Sequence, residues 1–354
     1  MSFSSSSLIK HLIISRSDPA CQTRDWHTEL RDAFTHPRDL LRFLELDPEL
    51  LPGAVSATQK FRLLVPRGYA SLMRTGDPDD PLLRQVLPLD AELAEQPGFV
   101  MDPVGDHAAT QTPGLLQKYQ GRALIVATGA CAVHCRYCFR RHFPYADQRG
   151  RLDAWNAITQ YLVDDPNISE IILSGGDPLM LDDKVLSDLL SALEDIGHLR
   201  RLRIHSRMPV VLPSRVTPDL CDRLERSRLQ VVVVIHANHP AEIRTRTASP
   251  LHRLRERGIQ LLNQSVLLRG VNDRVETLRD LSEALFSQGV LPYYLHQLDQ
   301  VQGAAHFAVP DRRAGELLDD VRSCLPGYLV PKLVREEADV PYKTPIAYTS
   351  RTHV

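Results

Sequence analysis

From residue 122 onward the chain alternates between short runs of aliphatic and β-branched residues and longer stretches whose apolar positions recur three and four apart. The repeat is about thirty residues, the length of one βα unit. The short runs predict strands at 123–128, 170–174, 202–205, 230–235, 260–266 and 292–298. The longer stretches predict amphipathic helices. Over 183–196, Val185, Leu186, Leu189, Leu190, Leu193 and Ile196 share one face and the helix ends before Gly197; over 275–287 the face is Leu278, Leu281, Ala284 and Leu285. Six such repeats predict a parallel sheet with helices outside it, either an incomplete barrel or a doubly wound sheet. In both architectures ligands gather at the carboxyl ends of the strands.

The first part of the chain has a different texture. Helical patterns occupy 24–34, 37–46 with proline at its start, and 57–64, while the proline-bearing stretches 76–88 and 97–114 read as extended connectors. The pattern therefore divides into a helical N-terminal extension, 1–110, and a core, 111–354. With 354 residues and 43% hydrophobic content the chain can bury a full core, which excludes disorder. A formal charge of -2 provides no basic field for nucleic acid. The serine-rich stretch 1–7 is polar, and Lys10 and His11 break the apolar patch 8–14, so no signal-peptide core is expected; no apolar run is long enough for a membrane span. A reducing cytoplasm is the expected location.

Candidate chemistry begins immediately after the first of these βα strands. Cys131, Cys135 and Cys138 put three of the six cysteines into one C-x3-C-x2-C segment. A cubane iron–sulfur cluster normally takes four cysteines, so three leave one iron open to a small molecule. A closed Cys3His zinc site using His134 or His142 is the competing reading, but no second knuckle exists and Cys21, Cys221 and Cys324 stand alone. After the next strand, Ser174-Gly175-Gly176-Asp177-Pro178 offers paired glycines for close backbone approach and a carboxylate that can accept from an ammonium; by itself this is a tight turn. Lys343, between Val340-Pro341-Tyr342 and Thr344-Pro345, is in isolation a solvated loop lysine.

Tyr137 before the last cysteine completes C-x3-C-x-aromatic-C, a pattern that resembles the radical S-adenosylmethionine (SAM) superfamily, whose open iron binds the amino and carboxylate groups of SAM. The glycine pair is similar to the element that holds the methionine amino group there. From about residue 77 to 344 the chain further resembles the lysine 2,3-aminomutase family, which combines a [4Fe-4S] cluster, SAM and pyridoxal 5'-phosphate (PLP). The most specific stretches run from Pro113-Gly114-Leu115 to Arg141, from Ser174 to Leu179, through Ser206-Arg207 and Pro209 to Pro213, and from Tyr293-Tyr294 through Asp299 to His306-Phe307.

The resemblance implies a radical SAM partial (βα)6 barrel. It makes Cys131, Cys135 and Cys138 the cluster ligands, assigns Gly175, Gly176 and Asp177 to SAM, and makes Lys343 the lysine that bonds covalently to PLP. Lys118, Tyr119 and Arg122 fall at the cofactor phosphate, Arg140 grips the substrate carboxylate, and Asp299 and Glu336 receive the distant ammonium of L-lysine. A cation and an anion at opposite ends of a pocket suit such a substrate. The implied reaction is an isomerisation in which an electron from flavodoxin or ferredoxin, passed through the cluster, cleaves SAM, and the resulting radical starts migration of the lysine nitrogen from the α to the β carbon.

Some positions depart from dedicated lysine aminomutases. Ala338-Asp339-Val340-Pro341-Tyr342 replaces a glycine-rich approach to the PLP lysine, Glu336 stands for aspartate, His296 for tyrosine and Lys118 for arginine, and the chain ends at Val354 without a longer C-terminal segment. These departures, with the stretches 139–145 and 298–307, resemble the branch that makes (R)-β-lysine for translation elongation factor P, with its lysine ligase as functional partner. A free-lysine aminomutase of amino-acid metabolism and a non-catalytic zinc-stabilised binding protein are the alternatives.

Overall fold

The computed structural model describes residues 25–145, 152–338 and 340–346. The N-terminal stretches 1–7 and 8–14, Cys21, Asp339 and the chain end at Val354 lie outside the described residues.

Ten strands form a single sheet in chain order: β1 (Thr110–Thr112), β2 (Leu115–Tyr119), β3 (Arg122–Thr128), β4 (Glu170–Gly175), β5 (Arg201–Ser206), β6 (Gln230–Ile235), β7 (Gln260–Val266), β8 (Leu291–His296), β9 (Lys332–Arg335) and β10 (Thr344–Pro345). Strands β3 to β9 are parallel; β1, β2 and β3 pair antiparallel, as do β9 and β10. This order decides between the two predicted architectures. A doubly wound sheet must reverse its strand order, whereas successive right-handed crossovers in one direction put every helix on one face and curl the sheet into an open barrel.

Alternation along the strands tells the two faces apart. On β5, Leu202 and Ile204 join the apolar cluster under the helices, while Arg203 and His205 line an internal cavity. On β8, Leu295 is buried in a second apolar cluster, while Tyr294 and His296 face the cavity. A period of two thus gives the sheet a greasy outer face and a polar inner one.

The predicted strands β3 to β8 are found with shifts of two residues or less, and the helix Val275–Ser287 has its expected bounds. The helix Asp183–Glu194 buries Leu186, Leu189, Leu190 and Leu193, but Val185 is 45% exposed and is not part of its inner face. Further corrections fall in the first part of the chain. The helix expected at 57–64 is Leu51–Lys60, starting earlier because Pro52 sits comfortably in a first turn. The connector 76–88 contains a short helix, Pro81–Arg84, capped by Asp80, whose Oδ1 accepts from the backbone N–H groups of Leu82 and Leu83. The connector 97–114 contains β1. These early segments do not stand apart: Trp26, Phe34, Leu40, Tyr69 and Leu82 share one apolar cluster with Ile125, Ile171 and Leu202 of the sheet. Among the described residues no helix is long and apolar enough to cross a membrane.

Candidate active site

A cavity of about 330 Å³ opens at the carboxyl ends of the parallel strands, and its wall runs from the cysteine loop to Lys343. One half is built by the loops after β3, β4 and β5, which are stitched together by backbone bonds. Gly176 N–H donates to Thr128 O at 2.7 Å and Asp177 N–H to Ala130 O at 2.8 Å, so the glycine pair lies flat against the segment leading into Cys131. Only glycine fits: a Cβ at Gly176 would sit 2.3 Å from Ala130 O, and Gly175 has a φ of +111°. Asp177 is buried, and its four acceptor positions are filled, Oδ1 by Leu179 N–H and Ser206 Oγ–H, Oδ2 by the N–H groups of Arg207 and Met208. It ties the β4 and β5 loops together and leaves the Gly175 and Gly176 backbone to face the cavity.

Cys131, Cys135 and Cys138 are free thiols on the cavity wall. Burial pushes the Cys131 thiol well up and that of Cys138 to about 11, so both call for a positive partner before they ionise. Among the described residues no three His, Cys, Asp or Glu side chains converge on one metal ion. The histidines of the zinc reading point elsewhere: His134 Nδ1 bonds Arg62 O at 2.9 Å, and His142 Nε2 bonds Gln302 O at 3.1 Å. A cubane asks for less convergence, since each thiolate takes a different iron.

The other half is a chain of opposite charges. Arg140 Nε–H donates to Asp106 Oδ2 at 2.7 Å and Nη1–H to Ser174 Oγ at 3.0 Å, leaving Nη2 for a ligand. Lys118 Nζ donates to Val104 O at 2.8 Å and Glu336 Oε1 at 3.0 Å, and pairs with Asp106 Oδ1 at 2.6 Å. Glu336 Oε2 in turn accepts from Lys343 Nζ. Burial raises Glu336, but Lys343 and then Lys118 outweigh it and hold the carboxyl far below its ordinary range. Asp299 behaves in the opposite way: burial, reinforced by Glu336, pushes it up to about 7, and its Oδ1 is buried with no hydrogen-bond partner. Arg122, whose guanidinium carbon lies 4.6 Å from the Tyr119 ring centroid, also leaves its buried Nε unpartnered.

The sequence-predicted residues therefore meet around one cavity, Lys118, Tyr119, Arg122, Cys131, Cys135, Cys138, Arg140, Gly175, Gly176, Asp177, Asp299, Glu336 and Lys343 all lining it. Two further participants are not predicted by the sequence. Asp106 sits in a stretch that reads as a connector, where a single acidic residue has no periodicity to betray it. Arg207 falls within a family-like segment but carries no signal of its own, although its Nη1 lies 2.7 Å from Cys135 Sγ. His205 and His296 also line the cavity with unpartnered Nε2 atoms; burial, then Lys343, keeps His296 neutral with a pKa of about 3.

These groups suit the three implied cofactors and substrate: free thiols for iron, close-approach glycines for SAM, cations for a phosphate, and an orphaned carboxylate oxygen for an ammonium. Comparison with known proteins agrees. Residues 125–281 match the radical SAM superfamily model. L-lysine 2,3-aminomutase of Escherichia coli (strain K12) is 50% identical over 91% of this chain and 94% of that one, and its counterpart in Haemophilus influenzae is 45% identical over 91% and 96%. The enzyme of Clostridium subterminale is 33% identical over 91% and 77%. Among solved structures, a radical SAM methyltransferase from Sphaerobacter thermophilus is similar at a TM-score of 0.46 and 17% identity, covering 62% of this chain and 68% of that one. The chain belongs to the lysine 2,3-aminomutase family, radical SAM isomerases whose cofactors are a [4Fe-4S] cluster, SAM and PLP.

Proposed function

We propose that this enzyme converts L-lysine to (R)-β-lysine by 2,3-amino migration with PLP carried on Lys343, and that the product serves the β-lysylation of translation elongation factor P. The observation that supports the reaction is the cavity, which is lined by a three-cysteine loop, a clamped arginine, an unsatisfied carboxylate and Lys343 together. When bound, the cluster supplies an electron, SAM a radical, and PLP a ring that delocalises the unpaired spin during migration.

The chain's own groups prepare the reaction. Cys131, Cys135 and Cys138 hold iron, and the Gly175–Gly176 backbone bounds the SAM end. Arg140 offers Nη2 to the substrate carboxylate, its orientation set by Asp106 and Ser174. Asp299 Oδ1 receives the ε-ammonium and becomes ionised as it does so. Glu336 Oε2 accepts from Lys343 Nζ; were Lys343 to hold the cofactor covalently, Glu336 would be left free beside Asp299 for the substrate ammonium. Lys118 is engaged by Val104, Glu336 and the Asp106 ion pair, and release of Glu336 would free one N–H for the cofactor phosphate, with Tyr119 and Arg122 alongside.

The elongation factor P role is supported by the stretches 139–145 and 298–307, and by the substitutions His296, Glu336 and Lys118. Cytoplasmic location and a flavodoxin or ferredoxin as reductant belong to the same proposal, which an oxygen-sensitive site favours. Anaerobic reconstitution tests the chemistry: a brown protein with a borohydride-reducible PLP adduct, lost in Lys343→Ala with iron retained, supports it, and a colourless protein with stoichiometric zinc would overturn it. Chiral analysis of the product and loss of β-lysine from elongation factor P in a deletion strain test the role. A factor that keeps its modification in that strain would assign the enzyme to free-lysine metabolism instead.

A further inference from the structure

Arg207 follows β5 directly, and its guanidinium is buried behind the cysteine loop. Nη1–H donates to Cys135 Sγ at 2.7 Å. Nη2–H groups are shared among Gln85 Oε1 and Glu242 Oε1, both at 2.7 Å, and Tyr69 OH at 3.1 Å. The backbone N–H is held by Asp177 Oδ2 at 2.8 Å. Glu242 is itself fixed by the N–H groups of Asn238 at 2.6 Å and His239 at 2.9 Å. The rings of Tyr69 and Tyr137 lie 5.6 and 5.7 Å from the guanidinium carbon. One end of the fork is thus anchored on protein oxygens, and the other is aimed at a sulfur. Glu242 neutralises one end of the guanidinium, its Nε is buried without a partner, and the one bond made by Nη1 goes to sulfur.

We propose that Arg207 is a positioning residue that sets the reduction potential of the iron–sulfur centre by donating a charged N–H to the Cys135 thiolate. The inference rests on the assignment of Cys131, Cys135 and Cys138 as iron ligands. Reduction takes one electron from an external low-potential donor of the flavodoxin or ferredoxin class, and no bond forms or breaks in that step. The added negative charge spreads onto the sulfurs, so a donor there stabilises the reduced state more than the oxidised one and raises the potential. Glu242, bonded to the other end of the same guanidinium, offsets part of the positive charge. Cys138 receives only a backbone N–H, from Arg140, so the charged donor falls on the middle ligand.

The test is an anaerobic potentiometric titration of the reconstituted full-length protein, read by electron paramagnetic resonance, for wild type, Arg207→Gln and Arg207→Lys. We expect Arg207→Gln to carry its full iron and sulfide, with a midpoint shifted negative, so that the reduced fraction at the wild-type midpoint falls several-fold. Arg207→Lys keeps the charge but cannot span sulfur and Glu242 together, and its midpoint falls between the two. A fully loaded Arg207→Gln with the wild-type midpoint overturns the inference. If that variant loses iron, Arg207→Lys carries the test, and a wild-type midpoint there overturns it equally. Loss of iron from both variants also overturns it, making Arg207 a purely structural support. Failure of the wild-type protein to take up a cluster would sink the ligand assignment itself, a distinguishable result.

Discussion

Asp106 accepts from Arg140 and Lys118 at once, and its carboxyl is held below its ordinary range because those two cations outweigh the cost of its burial. Asp106→Asn keeps the shape and removes the charge. A hydrogen bond to a charged group contributes ~1.5–3 kcal/mol, so the KM for lysine is expected to rise by roughly ten- to a hundredfold. The turnover number should change less, because in the proposed site Arg140 would meet the substrate carboxylate and not the migrating nitrogen; steady-state kinetics would reveal the split, and an equal loss in both constants would contradict it. Asp299 supplies a pH signature. Its pKa of about 7 means that the ligand-free site is protonated in mild acid. With Asp299 in its proposed role at the lysine ammonium, the Kd for L-lysine should fall as pH rises through about 7 and level off above it. In the ligand-free protein the sign for stability is opposite: the raised pKa contributes stability fully present below about pH 4 and lost as pH rises through about 7. Asp299→Asn should therefore raise Tm at about pH 8 and leave it unchanged in acid, which pH-dependent melting would check.

At the scale of elements, the reactive groups sit on short loops locked to one another. Gly176→Ala would place a methyl 2.3 Å from Ala130 O, and backbone, not a side-chain tip, must move. Reduced iron content and a lower Tm are expected, while Gly197→Ala, with nothing within 4 Å of its Cβ, serves as the neutral control. Iron analysis on both proteins decides it. The parallel strands were legible because Val, Ile and Leu runs at a steady interval fit little besides buried strands. Strands β1, β2, β9 and β10 escaped, since Leu115–Tyr119 is half polar and the other three are only two to four residues long. Their pairing is fixed by neighbours rather than by their own pattern. Val185 shows the converse error, an apolar residue counted into a stripe that the sheet does not reach.

For the whole molecule, the cavity divides into a thiol half and a charged half, which share the loop after β3 through Arg140, while Lys343 and Glu336 come from the far end of the chain. Oxidative removal of iron should leave the borohydride-reducible PLP adduct on Lys343 intact; mass spectrometry of the stripped protein would show it, and simultaneous loss of both would mean that the halves are not separable. Apart from the three cysteines, whose spacing alone pointed to iron, the proposed site residues were legible only through resemblance to a family. A lone lysine beside prolines, or a single aspartate such as Asp299, carries no local signal, and its meaning arises from burial in a cavity whose other walls come from distant parts of the chain. Asp106 was invisible for the same reason, since a connector has no periodicity against which one buried carboxylate stands out.

The sheet adds its parallel strands in the order in which they are synthesised. The cysteine loop, the glycine pair and Arg207 therefore leave the ribosome well before Glu336 and Lys343. At ~5–20 residues per second the interval is on the order of ten seconds. For that time the nascent chain carries the cysteine loop without Glu336 and Lys343, so the proposed metal ligands are complete before the proposed cofactor lysine exists.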